Sequence, residues 1–533
     1  MKLLRLNQLW AGSALLLLLA VPLLLRAEGP SSSARISVRT DQPLGEVSPY
    51  IYSSVVRWDL GRGLALPESA TPEDFFRLAE WVKSLNLSML RYPGGTVADA
   101  FYWKESIGPL DKRPQGTTTG FDRDRHNRIT VGIDEFLHFC ELAEVEPLMV
   151  VNFGNGSPEE AADLVEYLNA PDDGSNPGGE VDWARKRAGN GHPQPYGVRY
   201  FEIGNEIYLL EGRTHSYKQF GHTDVKDYAT RLVQFARRMR EIDRSVKIGC
   251  PVISPGVVGA SDRVARTRRP WNKTLFEIAG KEIDFVCPHI YGPGERGKEY
   301  QPTVEVFVQK SFAYLEARER ELKGMRKEMR GVSGKEFEIL ITEYNMTPSS
   351  LDLLSGLYVA QFLSTCIQAG VQGAIFHNLF GFGDRFPALR FVKEHNLRIP
   401  RPTYFALKLL SKHLRGVRLA TEVFCPTFTS EYYPDLEVPY VSAIAVKRGG
   451  NIVLEVINKD IHTDYRTEIE APGHRFPSEI KVFELNAREL KTNNERDLNP
   501  QRTTVRLTEK SVSGGGERLT YTFPAHSVTI LEF

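Results

Sequence analysis

A chain of 533 residues carries 67 basic and 67 acidic side chains, so its formal net charge is zero. Hydrophobic content of 41% and charged content of 25% are those of a soluble globular protein, and the length allows about two to four domains. The balance excludes a protein built around a polyanion: no nucleic-acid partner is expected, and the basic run Arg263, Arg266, Arg268, Arg269 reads as a solvated loop.

The start of the chain differs from the rest. Lys2 and Arg5 precede an apolar stretch from Leu15 to Leu25, then Ala27, Glu28 and a run of serines. That order predicts a secretory signal over residues 1–28, since the run is short of the roughly 20 apolar residues of a membrane span. A secreted or periplasmic protein follows, with no membrane contact beyond this segment; an uncleaved N-terminal anchor is the alternative. Cys140, Cys250, Cys287, Cys366 and Cys425 are widely spaced and odd in number. They predict buried thiols without a disulfide framework, and no pair has zinc-site spacing. No metal and no other cofactor is expected.

Residues 34–46 read as a strand that joins a C-terminal sheet domain. From 47 to 415 the chain alternates. Apolar strand-like runs end near Tyr52, Arg91, Asn152, Glu206, Pro251, His289, Glu343 and Asn378. Helical stretches lie between them at Pro72 to Leu85, Gly132 to Ala143, Pro158 to Asn169, Asp224 to Asp243, Trp271 to Gly280, Thr303 to Lys323 and Ser350 to Ala369, with a last one from Pro402 to Leu414. Thr71-Pro72-Glu73 and Ser157-Pro158-Glu159 each place a capping hydroxyl before a proline at the first helical position. Eight strand–helix repeats predict an α/β fold, a parallel (β/α)8 TIM barrel. Two long connections stand out: 94–131, with the Thr-rich run Gly116 to Gly120, which should lie at the catalytic face, and 170–197, rich in Gly, Pro and Asn. From 416 to 533 the rhythm becomes alternating runs, with Arg448-Gly449-Gly450 as a hairpin turn. This predicts an antiparallel β-sandwich.

Two segments carry the chemistry. Phe201-Glu202-Ile203-Gly204-Asn205-Glu206 and Ile339-Leu340-Ile341-Thr342-Glu343-Tyr344-Asn345 are apolar runs that end in a carboxylate. Burying a charge there costs several kcal/mol, so packing does not explain it. The counting puts both glutamates at the C-terminal rim, on the fourth and seventh barrel strands, where catalytic groups of this fold sit. Two carboxyl groups about 5–5.5 Å apart suit retaining glycoside hydrolysis. Asn205 is placed to donate a hydrogen bond to a sugar hydroxyl.

The motifs resemble a known family. Arg91-Tyr92-Pro93-Gly94-Gly95, Tyr102-Trp103-Lys104-Glu105-Ser106-Ile107-Gly108-Pro109, Val151-Asn152-Phe153-Gly154, and Asn190-Gly191-His192-Pro193 leading into Glu202-Ile203-Gly204-Asn205-Glu206 are similar to family 51 α-L-arabinofuranosidases. So are Pro402-Thr403-Tyr404 and Pro524-Ala525-His526-Ser527-Val528. The resemblance implies Glu206 as acid/base, Glu343 as nucleophile and Arg91 as the nucleophile's support. It implies a substrate contact for His289 and Tyr291 at the sixth strand end. Asn152 and Asn155 after the third strand and His377 and Asn378 after the eighth are expected to line the pocket, with Trp103 as an aromatic wall. The expected substrate is a plant-type polysaccharide or its oligosaccharides, with arabinofuranoside first. An endo- or exo-β-glycosidase acting on xylan or β-glucan is second. A non-catalytic carbohydrate-binding barrel is a third reading, which the two glutamates oppose.

The chain departs from the family in places. Ser53-Ser54-Val55-Val56-Arg57 stands where a Glu-His pair usually follows the first strand. Thr96 replaces an Asn, Thr342-Glu343-Tyr344-Asn345 replaces Asp-Glu-Trp-Asn, and Phe201 replaces a Trp. These changes spare both carboxylates and are expected to alter the glycone wall. Asn155-Gly156-Ser157 and Asn345-Met346-Thr347 are glycosylation patterns at the rim, where a glycan would obstruct a site.

Overall fold

The computed structural model describes residues 31–58, 71–115, 128–210, 224–254, 271–292, 303–346, 351–381, 386–392, 397–495 and 504–533. The expected signal segment 1–28, the Thr-rich run and the basic run at 263–269 lie outside the described residues.

Strand β1 (Ser31–Glu46) precedes eight parallel strands that close into a barrel. These are β2 (Ser53–Val55), β3 (Met89–Tyr92), β4 (Glu146–Val151), β5 (Tyr200–Ile203), β6 (Lys247–Val252), β7 (Phe285–Tyr291), β8 (Glu338–Asn345) and β9 (Gly373–Phe376). Alternation along each strand sends one set of side chains inward. Met89, Leu148, Tyr200, Phe285 and Leu340 pack the lower lumen. Two residues further along their strands stand Arg91, Glu202 and Thr342, all fully buried. The polar layer therefore sits on an apolar plug, at the end of the barrel where strands run into loops.

The helices open as their sequences suggest. Thr71 and Asp74 form a reciprocal cap at Pro72–Phe76, and Ser157 accepts the Glu160 N–H at Pro158–Asn169. Three details differ from the sequence reading. Pro72 to Leu85 is two short helices, Pro72–Phe76 and Ala79–Ser84. A helix at Trp183–Gly189 lies within the predicted 170–197 loop; Asp182 caps it, and Glu166 accepts the Trp183 N–H at 3.1 Å. The helix expected to stop at Lys323 runs from Val304 to Ser333. Gly324 reads as a stop, but it costs only about 1 kcal/mol within a helix. Burial of Met325 and Met329 outweighs that cost.

The C-terminal strands and β1 make one nine-stranded sheet. Its order from one edge is Arg506–Ser513, Glu479–Asn486, Ser527–Glu532, Asn451–Asn458, Val441–Arg448, Val417–Phe424, β1, Asp464–Glu470 and Arg518–Phe523. Neighbours are antiparallel except β1 with Asp464–Glu470. One face has its own core, in which Ile36, Tyr465 and Leu519 join Leu454, Val482 and Leu531 from the other half of the sheet. The other face, with Val446, Val453, Ile457 and Ile530, is continuous with the barrel's outer core. All five cysteines are free.

Candidate active site

Glu343 reaches the mouth of the barrel through an irregularity in β8. Against β7, Val286 and His289 oppose Ile339 and Glu343; against β9, Ala374 and Phe376 oppose Ile341 and Tyr344. Both registers leave one extra residue in β8, a bulge, which re-aims side chains. Strict alternation would send Thr342 and Glu343 to opposite faces. Instead both point inward, while Ile341 and Tyr344 pack in the outer core.

Arg91 organises the floor. Its Nε donates to Glu202 at 2.7 Å, one terminal nitrogen to Glu343 Oε1 at 3.0 Å, and the other to Asn205 Oδ1 at 2.7 Å. Tyr291 donates to the second oxygen of Glu343 at 2.5 Å. His289 Nδ1 is 3.0 Å from Glu206 Oε1 and 3.6 Å from Glu343 Oε2, and His377 Nδ1 is 3.7 Å from the same Glu343 oxygen. Ligand atoms of Glu206, His289 and Glu343 all fall within 4.8 Å of one another. The two carboxyls thus converge across the barrel from β8 and from the turn after β5.

That turn is backbone-driven. Gly204 has φ of 79° and Glu206 φ of 48°, a left-handed conformation that costs a non-glycine residue about 1 kcal/mol or more. Asp99, wholly buried, accepts the Asn205 N–H at 3.2 Å and the Gly154 N–H at 3.3 Å, tying the turn to the loop after β4. Gly95 is needed for close approach: a Cβ there would meet Glu343 Oε1 at 2.6 Å.

Burial opposes charge on Glu343, but His289, His377 and Arg91, together with the Tyr291 hydrogen bond, outweigh it. Its carboxyl lies well below the usual carboxylate range. Burial works against the His289 cation, yet Glu343 and then Glu206 raise its pKa above the ordinary value. His377 moves the other way, lowered by burial. Burial, then Glu343, keep Tyr291 protonated, so it stays a donor. Glu206, His289 and Glu343 also offer a donor set for a divalent cation; the guanidinium on Glu343 works against one.

Of the residues expected at the site, Glu206, Glu343, Arg91, Asn205, His289, Tyr291 and His377 meet there. Three do not. Trp103 is buried with its ring against Trp183 at 5.0 Å, and its indole N–H donates to the Glu160 carbonyl at 3.2 Å. It packs the loop core and is no sugar wall. Asn152 spends its amide on Phe101 O at 3.2 Å and its oxygen on the Asn155 N–H at 3.0 Å. Asn378 turns its amide to Phe380 O at 2.8 Å. Asn155 donates to Asp99 O at 2.7 Å, bracing the rim. Asn345 is fully buried and donates to His377 O and Phe386 O, so no glycan fits at that pattern. Phe201 and Tyr344 face the outer core, Tyr344 stacked on Phe362 at 4.3 Å; they do not touch the glycone wall. Arg57 is buried beside Gly94 at the rim.

Sequence reasoning missed Glu202, Thr342 and Asp99. Glu202 carried a usable signal: a carboxylate inside an apolar strand, open to the same desolvation argument as Glu206.

A family model described as the alpha-L-arabinofuranosidase 1 domain matches residues 81–275, and an alpha-L-arabinofuranosidase C-terminal domain matches 391–527. The chain is similar to a probable alpha-L-arabinofuranosidase C of Aspergillus clavatus, 25% identical over 93% of this chain and 97% of that protein. It is also similar to an exo-alpha-(1->6)-L-arabinofuranosidase of Bifidobacterium longum, 26% identical over 88% of this chain and 90% of that protein. The chain belongs to glycoside hydrolase family 51. A solved GH51 alpha-L-arabinofuranosidase of Thermotoga petrophila shares the fold, with TM-score 0.74 and 23% identity over 94% of this chain and 100% of that one. As a glycoside hydrolase of family 51, the protein acts on carbohydrate.

Proposed function

We propose that the protein is a retaining glycosidase that removes α-L-arabinofuranosyl groups, with Glu343 as nucleophile and Glu206 as acid/base. The observation that carries the assignment is the asymmetry between the two carboxyls. Glu343 is held by Arg91 and Tyr291, and its side chain is 7% exposed. A carboxylate fixed this way stays ionised and aimed, as a nucleophile requires. Glu206 is 23% exposed and within reach of His289. It is open to the solvent from which an acid/base must be reprotonated. The oxygen separation within 4.8 Å fits the short spacing of a retaining pair, and is below the roughly 6.5–9.5 Å of an inverting one.

The steps follow. Glu206 gives its proton to the glycosidic oxygen as Glu343 attacks the anomeric carbon, and the C–O bond breaks with its electron pair going to the leaving oxygen. Glu206, now ionised, takes a proton from water. The water oxygen displaces Glu343 and restores the starting state. The arabinofuranosyl preference rests on what the relatives are named for. Arg57, where a Glu-His pair is usual, gives the rim a cation and makes the glycone the point to test.

The test is a panel of aryl α-L-arabinofuranosides, β-xylosides, β-glucosides and β-glucuronides, with the first-formed anomer followed by NMR. Turnover of the arabinofuranoside with retention is expected. Inversion overturns the mechanism, and preference for another glycone overturns the substrate. Export is part of the proposal, because Lys2, Arg5 and the apolar run read as a signal. N-terminal sequencing of protein recovered outside the cytoplasm checks it.

A further inference from the structure

Behind the two reacting carboxyls, hydrogen bonds run through the barrel interior. From Glu343 the contacts go to Arg91 at 3.0 Å, from Arg91 to Glu202 at 2.7 Å, from Thr342 to the other oxygen of Glu202 at 3.1 Å, from Thr342 to His289 Nε2 at 3.1 Å, and from His289 Nδ1 to Glu206 at 3.0 Å. Thr342 and Glu202 are both fully buried, so no water competes for their bonds.

The donors fix the direction of this chain. A hydroxyl has one proton, and Thr342 gives it to Glu202. Its oxygen is then an acceptor toward His289, so Nε2 carries the N–H. The same conclusion holds whether the imidazole is neutral or charged. Nδ1 is left facing Glu206 Oε1, where one further proton fits between nitrogen and oxygen.

We infer that Thr342, backed by Glu202, is a positioning residue that sets the His289 tautomer so that His289 and Glu206 jointly hold the acid/base proton. This rests on Glu206 being the acid/base. The proton delivered to the leaving oxygen comes off the Glu206–His289 pair, and the proton taken from water in the second step returns to it. A proton shared in this way belongs to the pair, whose titration is a joint property. The charged and titratable groups facing His289 are Glu343 on β8, Arg91 on β3, His377 after β9, Tyr291 on its own strand and Glu206; against burial and Arg91, Glu343 and then Glu206 raise the His289 pKa.

Thr342→Val keeps the shape and removes the hydroxyl. The Nε2–H then has no acceptor in a buried place, and the ring is better off with its single proton on Nδ1, pointing at an ionised Glu206. The pair loses its shared proton at lower pH. For the Thr342→Val enzyme the alkaline limb of kcat/KM should move down by about one pH unit. kcat should fall about tenfold for an alkyl or oligosaccharide leaving group that needs protonation. It should barely change for a dinitrophenyl leaving group that does not, and KM should hold. Thr342→Ser should restore the limb. An unmoved limb in folded Thr342→Val, an equal loss with both leaving groups, or no rescue by serine overturns the inference. If the wild-type protein has no glycosidase activity, or Glu206→Ala leaves the alkaline limb intact, it is the acid/base assignment that fails.

Discussion

Two of the glutamates buried in this molecule, Glu202 and Glu455, are treated in opposite ways. At the barrel mouth Glu202 is wholly inaccessible, but Arg91 and Thr342 both donate to it. At the seam between barrel and sheet, Glu455 is 1% exposed, and Ser364 donates to one of its oxygens at 2.5 Å. Among the described residues its other oxygen has no hydrogen-bond partner. Burial pushes the Glu455 carboxyl up to about 8. Burial alone therefore says little about whether a carboxyl is charged. What decides is whether a cation and fixed donors were built around it, and at the mouth they were.

The comparison is broken most directly at the reacting carboxyls. Glu343→Ala should lose at least about 10⁴-fold in kcat, the scale on which nucleophile removal acts. Azide should then form a glycosyl azide of inverted configuration. Glu206→Ala should lose about 10²–10⁴-fold with leaving groups that need a proton. There azide should intercept the glycosyl-enzyme and give the retained product. If the two stereochemical outcomes are exchanged, the roles assigned to Glu206 and Glu343 are exchanged too.

Arg91→Met attacks the device that separates the mouth from the seam. It strands Glu202 and Glu343 in a buried site without their shared cation, a change that costs about 3–5 kcal/mol. Chemical denaturation should show that loss, and activity should fall with it. If Glu202→Gln is added, part of the stability should return while activity stays low, because only one of the stranded carboxyls has been neutralised.

How much of this was written in the sequence follows from the same contrast. The barrel strands were legible because each is a short apolar run. Glu206 and Glu343 were legible because a charge at the end of such a run conflicts with packing. The β8 bulge was not, since strict alternation through Ile339 to Tyr344 puts Thr342 and Glu343 on opposite faces. Nor were Trp103 and Asn152, which sit in loops where spacing does not encode direction. Their partners Trp183 and Phe101 are set by how loops fold over the rim. The β1 strand, by contrast, was legible at 34–46 as a strand that joins the C-terminal sheet, and it pairs with Val417–Phe424 there.

A smaller effect sharpens the geometric side. Gly95→Ala adds one methyl group that would stand 2.6 Å from Glu343 Oε1. The carboxylate must shift, and a displacement of about 1 Å costs on the order of 10²-fold in rate. Gly95 has φ of −84° and ψ of −118°, outside the backbone regions open to an L residue, so the methyl group should also cost some stability. Steady-state kinetics beside a melting curve checks this: kcat should drop far more than the modest fall in Tm accounts for. An unchanged kcat in the folded variant would mean that the carboxylate has room to give.

The seam supplies the mildest and cleanest test. Glu455 lies between Ile444 and Ile530 on neighbouring strands, in the core shared with the barrel. Its folded pKa of about 8 stands above the ordinary 4.5. A carboxyl raised in this way binds its proton more tightly folded than unfolded. Its contribution is therefore whole below pH 4.5, declines as pH rises toward 8, and is flat beyond. At pH 7 the deficit is about 3 kcal/mol. Glu455→Gln removes the titration while keeping the shape and the Ser364 hydrogen bond. It should leave stability at pH 4 nearly unchanged and raise it by about 1–3 kcal/mol at pH 7, read from denaturant midpoints at both values. Glycosidase kinetics should not respond, since the seam shares no group with the mouth. A glutamine variant with an unaltered pH profile of stability would mean that Glu455 has found a cation in solution, and that the two regions manage buried charge alike.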